Sequence, residues 1–302
     1  MSEIFCREYR HGGQSGDVAR RRRFNLVSAF ELESRPKAPA WLIEGFLEVN
    51  TLALLFGDPA AGKSLLVLDW AASIATGRAW CGHEVKPGAV VYLAGEGYQG
   101  LTRRLAAWNA IHGQSSSLGM PLFFSECDSG LPSGRDELLA TLSQFTRQRG
   151  NLELIVIDTL ARCFVGNENS ADDMSTFLSI CDEMRRCFGC AVLIVHHAGH
   201  SEKGRARGYS SLPAAMDVIY QLETEGEGRR TLKCPKAKDF NPPAPYSFIV
   251  QEVKLPDTDQ RGKPVTAPVL KKVPALAELP QATGNPAWVT PYRIPSKSKG
   301  GL

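Results

Sequence analysis

The octapeptide GDPAAGKS at residues 57–64 constrains this chain more than any other stretch. It fits the pattern G-x-x-x-x-G-K-[ST], and its surroundings fit the mechanism behind that pattern. The apolar run TLALLFG at 51–57 reads as a buried strand, and KSLLVLDWAASIATG reads as a helix from Lys63 to a stop at Gly77. A turn between such a strand and such a helix presents backbone N–H groups and a helix N-terminus to phosphate. The expected nucleotide-binding residues are Gly57, Asp58, Pro59, Ala60, Ala61, Gly62, Lys63, Ser64 and Leu65. Gly57 and Gly62 allow the tight turn, Lys63 brings charge to the β- and γ-phosphates, and the Ser64 hydroxyl is suited to Mg²⁺.

The rest of the chain repeats the strand–helix rhythm. GAVVYLAGEG at 88–97, LELIVIDTL at 152–160 and CAVLIVHH at 190–197 read as buried strands. GLTRRLAAWNAIHG, RDELLATLSQFTRQRG and ADDMSTFLSICDEMRRCFG read as helices, the last with an acidic first turn that suits the helix dipole. Apolar strands alternating with helices predict an α/β fold with a mostly parallel sheet covered on both faces. After residue 212 the segments AMDVIYQLE, RRTLKCPKAK and YSFIVQEV predict antiparallel strands added at one edge.

Three regions follow: a basic N-terminal arm at 1–40 with a short helix ending near Pro36, an ATPase domain at 41–253, and a Pro- and Lys-rich tail at 254–302 expected to lack fixed structure. Residues 1–23 carry a charge of +3, 254–302 carry +5, and the middle carries −5. Basic ends suit nucleic acid, and they equally suit a solvated surface. There is no run of 18 apolar residues and no apolar signal core, so neither a membrane partner nor export is expected. Eight scattered cysteines suit a reducing compartment, and the expected location is the cytoplasm.

Two carboxylates stand where a nucleotide site needs them. Asp158 is the only acid of the apolar stretch LIVID and would emerge at the carboxyl edge of the sheet, where ligands bind in such folds. It reads as a Mg²⁺ ligand acting through water, or as a cap on the next turn. Thr159 follows it, so a base directly after the aspartate is absent. Glu96, just past another strand, reads as the group that positions the attacking water, or as an exposed loop carboxylate.

LIVHHAGHSEKGRARGYSSL at 193–212 is open to several readings. His196, His197 and His200 suggest a metal cluster, with Cys187 and Cys190 nearby. Adjacent strand residues point to opposite faces, so His196 and His197 cannot easily share one ion. Cys190 opens a buried strand, where cysteine packs as a small hydrophobe. Lys203, Arg205 and Arg207 alternate with glycines in a basic loop suited to tracking a phosphate backbone, or they are a solvated loop.

Taken in order, GDPAAGKS, VVYLAGEG, LIVIDTLARCF, CAVLIVHHAG and RARGYSSLPAAMDVIYQLE resemble the RecA-like hexameric replicative helicases, in the DnaB/RepA branch and nearest to the plasmid- or phage-type RepA helicases. The likeness covers roughly residues 45–250. It implies ATP as substrate with Mg²⁺, a homohexameric ring, single-stranded DNA as track, and an initiator, loader or primase as further partners. It implies Lys63 and Ser64 at the phosphates and Glu96 as the catalytic glutamate, with Asp158 toward Mg²⁺. His196 or His197 would be the γ-phosphate sensor, and 198–210 the DNA-facing loop with Lys203 and Arg205. Arg207 would be the catalytic arginine reaching a neighbour's nucleotide. The family's Lys-x-Arg element reads Lys236–Ala237–Lys238 here, and lysine cannot give bidentate contact to phosphate. Lys236 and Lys238 are thus the weaker trans-acting candidates. The stretch before residue 40 is too short for the family's separate N-terminal helical domain, so none is expected there, and the segment 24–45 is expected to pack on a neighbouring subunit. A RecA-type recombination or repair ATPase, or a regulatory ATP-binding switch without motor activity, is the alternative.

Overall fold

The computed structural model describes residues 26–34, 38–114, 116–127, 130–198 and 211–274. A short helix α1 (Ala29–Glu33) ends before Pro36 as the sequence predicts, and its N-terminus is closed by a capping box between Ser28 and Glu31. A small hairpin follows, β1 (Trp41–Ile43) with β2 (Leu47–Glu48). The main run is then β3 (Leu52–Gly57), α2 (Lys63–Thr76), β4 (Ala89–Ala94), α3 (Tyr98–Ile111), β5 (Leu122–Glu126), α4 (Arg135–Arg149), β6 (Leu152–Asp158), α5 (Leu160–Cys163), α6 (Ala171–Phe188) and β7 (Ala191–His197). It closes with α7 (Ser211–Ala215), β8 (Val218–Thr224), β9 (Arg229–Ala237), β10 (Tyr246–Thr258) and β11 (Pro264–Val273).

One nine-stranded sheet has the order β11-β10-β9-β8-β3-β7-β6-β4-β5. The six strands from β8 to β5 are parallel, and β9, β10 and β11 add antiparallel at one edge. This is the predicted arrangement. Alternation along each strand sends side chains to two cores. On β3, Ala53 and Leu55 join Leu66, Val67 and Trp70 of α2 and Leu101 of α3. Leu52, Leu54 and Phe56 face the other way, toward Leu139 of α4, Leu160 of α5 and Met174 and Phe177 of α6. Covering both faces with helices is what lets β3, β6 and β7 be apolar along most of their length.

The boundary expected at residue 253 falls inside a strand. Residues 254–273 are not a tail: β10 and β11 pair from Ser247–Val273 to Thr258–Pro264. Their proline and lysine content hides an apolar face. Leu255, Ala267 and Val269, with Val253 and Val265 beside them, pack over Ala107 of α3. Pro264 and Pro268 are tolerated because β11 is the edge strand, where a missing donor breaks no ladder on its open side. Residues 275–302 and the arm before 26 lie outside the described residues.

Candidate active site at the carboxyl edge of the sheet

The phosphate loop joins β3 to α2 at the carboxyl edge of the sheet. Gly57 is required by proximity rather than by its own dihedral angle. A Cβ there would lie 2.2 Å from the Leu222 carbonyl oxygen of β8, so any side chain would force the two strands apart. Gly62 is required by conformation: it caps α2 at φ 98°, in the left-handed region. Between them Asp58, Pro59 and Ala60 are exposed and Ala61 is buried. Lys63 is buried, and its ammonium donates to the carbonyls of Gly57 at 2.9 Å and Asp58 at 2.8 Å. Burial pulls its pKa down, while the negative charges of Asp158, Glu96 and Asp58 oppose that shift. Ser64 and Leu65 are half-buried at the start of α2.

Asp158 ends β6, and the chain then turns through a cis Asp158–Thr159 peptide into α5. Its carboxylate is buried. Burial raises its pKa. The Tyr92 hydroxyl, the neighbouring Ser64 hydroxyl and the Lys63 charge favour the ionised form, and Glu96 disfavours it. Tyr92 donates to Oδ2, while Oδ1 is buried without a hydrogen-bond partner among the described residues. An unsatisfied, buried carboxylate oxygen beside a serine hydroxyl fits a hard divalent cation. The donor set Ser64 and Asp158 therefore suits Mg²⁺.

Glu96 lies just beyond β4 and is drawn to this place by the backbone. The Gly95 N–H donates to the Asp158 carbonyl at 2.8 Å, tying the ends of β4 and β6 together. A Cβ on Gly95 would meet Arg162 Cβ at 2.5 Å, so α5 rests directly on that backbone. The Arg162 guanidinium sits 3.6 Å from the Glu96 carboxylate in a solvent-exposed ion pair. The sequence gives no signal for this pairing, because Arg162 lies on a four-residue helix with no periodicity to read.

The two histidines separate by face. His196 is fully buried and shares its parity with Val192, Ile194 and Ala198, which belong to the α4–α6 core. His197 is half-buried beside Gly57, its register partner on β3, and the next residue's N–H donates to the Gly57 carbonyl at 3.0 Å. Its pKa is lowered by burial first and by the Lys63 charge second, with Glu96, Asp158 and Glu168 pulling the other way. His197 thus shares the electrostatic surroundings of the site, and His196 is a core residue. The zinc alternative has no support among the described residues, where no group of three His, Cys, Asp or Glu could hold a metal. Cys190 is buried in the core, and burial pushes its thiol up to about 12.

Lys203, Arg205 and Arg207, with His200, lie outside the described residues. Lys236 and Lys238 are described, and both engage their own chain. The Lys236 ammonium donates to the carbonyls of Pro213 and Ala214, the last turn of α7, at 3.1 and 3.0 Å. Lys238 lies 3.7 Å from the Asp217 carboxylate.

Fold and site together define a RecA-like P-loop ATPase: a mostly parallel sheet with a phosphate loop after β3 and a buried aspartate two strands away. An AAA domain family (AAA_25) matches residues 19–203, more than half of the 302-residue chain, and the chain belongs to that family. Among solved structures, the crystal structure of the RadB recombinase is similar at 15% identity and a TM-score of 0.51, covering 67% of this chain and 88% of that one. That likeness shows the fold. No curated protein matches the chain. Among the described residues, no helix is long and apolar enough to cross a membrane.

Proposed function

We propose that this chain is a Mg²⁺-dependent ATPase that moves on single-stranded DNA in the cytoplasm, as a ring-forming helicase or translocase of plasmid or phage replication. The observation that carries the ATPase part is the grouping of Lys63, Ser64, Asp158, Glu96 and His197 at one edge of the sheet, where α2 starts at Lys63, the Gly95 N–H donates to the Asp158 carbonyl and His197 pairs with Gly57. The DNA part rests on the ordered motifs from Gly57 to Glu223 and on the basic residues Lys203, Arg205 and Arg207.

In this reading, backbone N–H groups of residues 60–64 and the Lys63 ammonium hold the phosphates. Ser64 and Asp158 would hold Mg²⁺, which supplies charge neutralisation on the phosphate oxygens when bound. Glu96 orients the attacking water and accepts its proton. His197, neutral near pH 7, is the histidine with access to the γ-phosphate position, and it feeds directly into residues 198–210. Arg207 of a neighbouring subunit would stabilise the charge that develops on the transferred group, an effect worth about 10³–10⁵-fold in phosphoryl transfer. Lys236 and Lys238 are the lesser trans-acting candidates. An initiator, loader or primase would be the partner at a replication fork.

The test is ATP hydrolysis with and without single-stranded DNA, followed by unwinding of a forked duplex. Glu96→Gln should lower turnover by about 10²–10⁴-fold while ATP binding persists. Unchanged turnover would remove Glu96 from the chemistry, whereas ATP binding without turnover in the unsubstituted chain would leave the switch reading. A second reading, a recombination ATPase, is favoured by the fold likeness to the RadB recombinase over most of that chain. Open filaments in electron micrographs, with strand exchange and no fork unwinding, would select it over the helicase.

A further inference from the structure

Tyr92 has a hydroxyl that the proposed chemistry leaves without a task. The residue is in the middle of β4 and fully buried. Its register partner on β6 is Val156, and Ala94, two residues on, pairs with Asp158. Tyr92, Ala94 and Val156 all line the α2 side of the sheet. The phenol therefore starts two register pairs below Asp158 on the neighbouring strand, on the same face, and reaches it along the diagonal, a distance that aromatic side chains span. The ring is held independently of its hydroxyl: it packs against Phe124 with centroids 5.4 Å apart.

The hydroxyl donates to Asp158 Oδ2, and the remaining oxygen, Oδ1, is buried and makes no hydrogen bond among the described residues. The carboxylate torsion of aspartate is broad and roughly two-fold, so an unanchored carboxylate would sample several orientations. We infer that Tyr92 is a positioning residue for the metal: its hydroxyl pins one oxygen of Asp158 so that the other alone is presented to Mg²⁺ beside Ser64. This rests on the proposed nucleotide site. Partners of metal-ligating groups that are not ligands themselves typically change metal affinity by about 10–100-fold when removed.

The experiment is binding of a fluorescent, non-hydrolysable ATP analogue, titrated with Mg²⁺ and repeated in chelator, on the full chain and on Tyr92→Phe. Wild type should bind the analogue more tightly as Mg²⁺ rises; if it does not, the nucleotide-site reading itself fails. Given that response, Tyr92→Phe should raise the Mg²⁺ half-saturation by about 10-fold while binding in chelator and the thermal midpoint stay close to wild type. An unchanged Mg²⁺ curve, or an equal loss with and without Mg²⁺, would overturn the inference and leave the ATPase reading standing. Asp158→Asn supplies the second arm. In that background the tyrosine substitution should add nothing to the Mg²⁺ shift, and additive losses would also overturn it.

Discussion

At the scale of single residues, the two adjacent histidines behave as different kinds of group. His196→Ala empties a fully buried position and should destabilise by about 2 kcal/mol in urea unfolding, like other buried deletions. His197→Ala touches a half-buried edge position and should stay within about 0.5 kcal/mol of wild type while impairing DNA-stimulated hydrolysis. The reverse pattern would reassign the sensor. The sequence narrows the sensor to a pair, because alternation gives opposite faces without saying which face the site occupies. Asp158 is legible as the acid that ends the apolar run LIVI. Its anchor Tyr92 is not, since a tyrosine in an apolar run looks like core until the neighbouring strand's register is known.

At the scale of elements, legibility follows how completely a segment is buried. β3, β6 and β7 are buried almost end to end, and their long apolar runs stand out in the sequence. β5 does not, because it is an edge strand with half-exposed residues. The β10–β11 hairpin is hidden for another reason: its apolar residues are split between α3 and the main core, where Phe248 and Leu270 lie, and its turn is built from polar groups, with Asp259 accepting from the N–H of Arg261 and of Lys263. The end of α3 carries a pH-sensitive contact. His112 follows the helix, stacks near Trp108 with ring centroids 4.3 Å apart, and has its pKa lowered from 6.5 to about 4 by burial first and Arg78 second. A lowered folded-state value means that the unfolded chain takes up the proton first. This histidine's contribution to stability is therefore complete above its unfolded value of 6.5 and is lost as the pH falls toward about 4. His112→Gln should flatten the decline of the urea midpoint across that window. An equally steep decline in the variant would show that other groups carry it.

At the scale of the whole molecule, the charge asymmetry meets a corrected boundary. A truncation after residue 253 would cut β10 and strip α3 of its cover, so such a variant should lose cooperative unfolding. A truncation after Pro274 removes Arg293, Lys297 and Lys299 while keeping every described strand. It should unfold like the full chain. If the basic end binds single-stranded DNA, the log–log salt slope of binding should fall by about 2, near 0.7 for each phosphate that is no longer neutralised. An unchanged slope would leave the end without a part in binding.

The strand order has a mechanical consequence. β7 lies between β3, which leads into the phosphate loop, and β6, which ends in Asp158. A nucleotide spanning those two anchors would press on both flanks of β7 at once. That same strand runs without interruption from the middle of the sheet to His197, six residues before Lys203. On the proposed reading it would act as a lever clamped on both sides. Were ATP cleaved there, a change of spacing at the clamp would have a single covalent chain along which to reach the segment beyond His197.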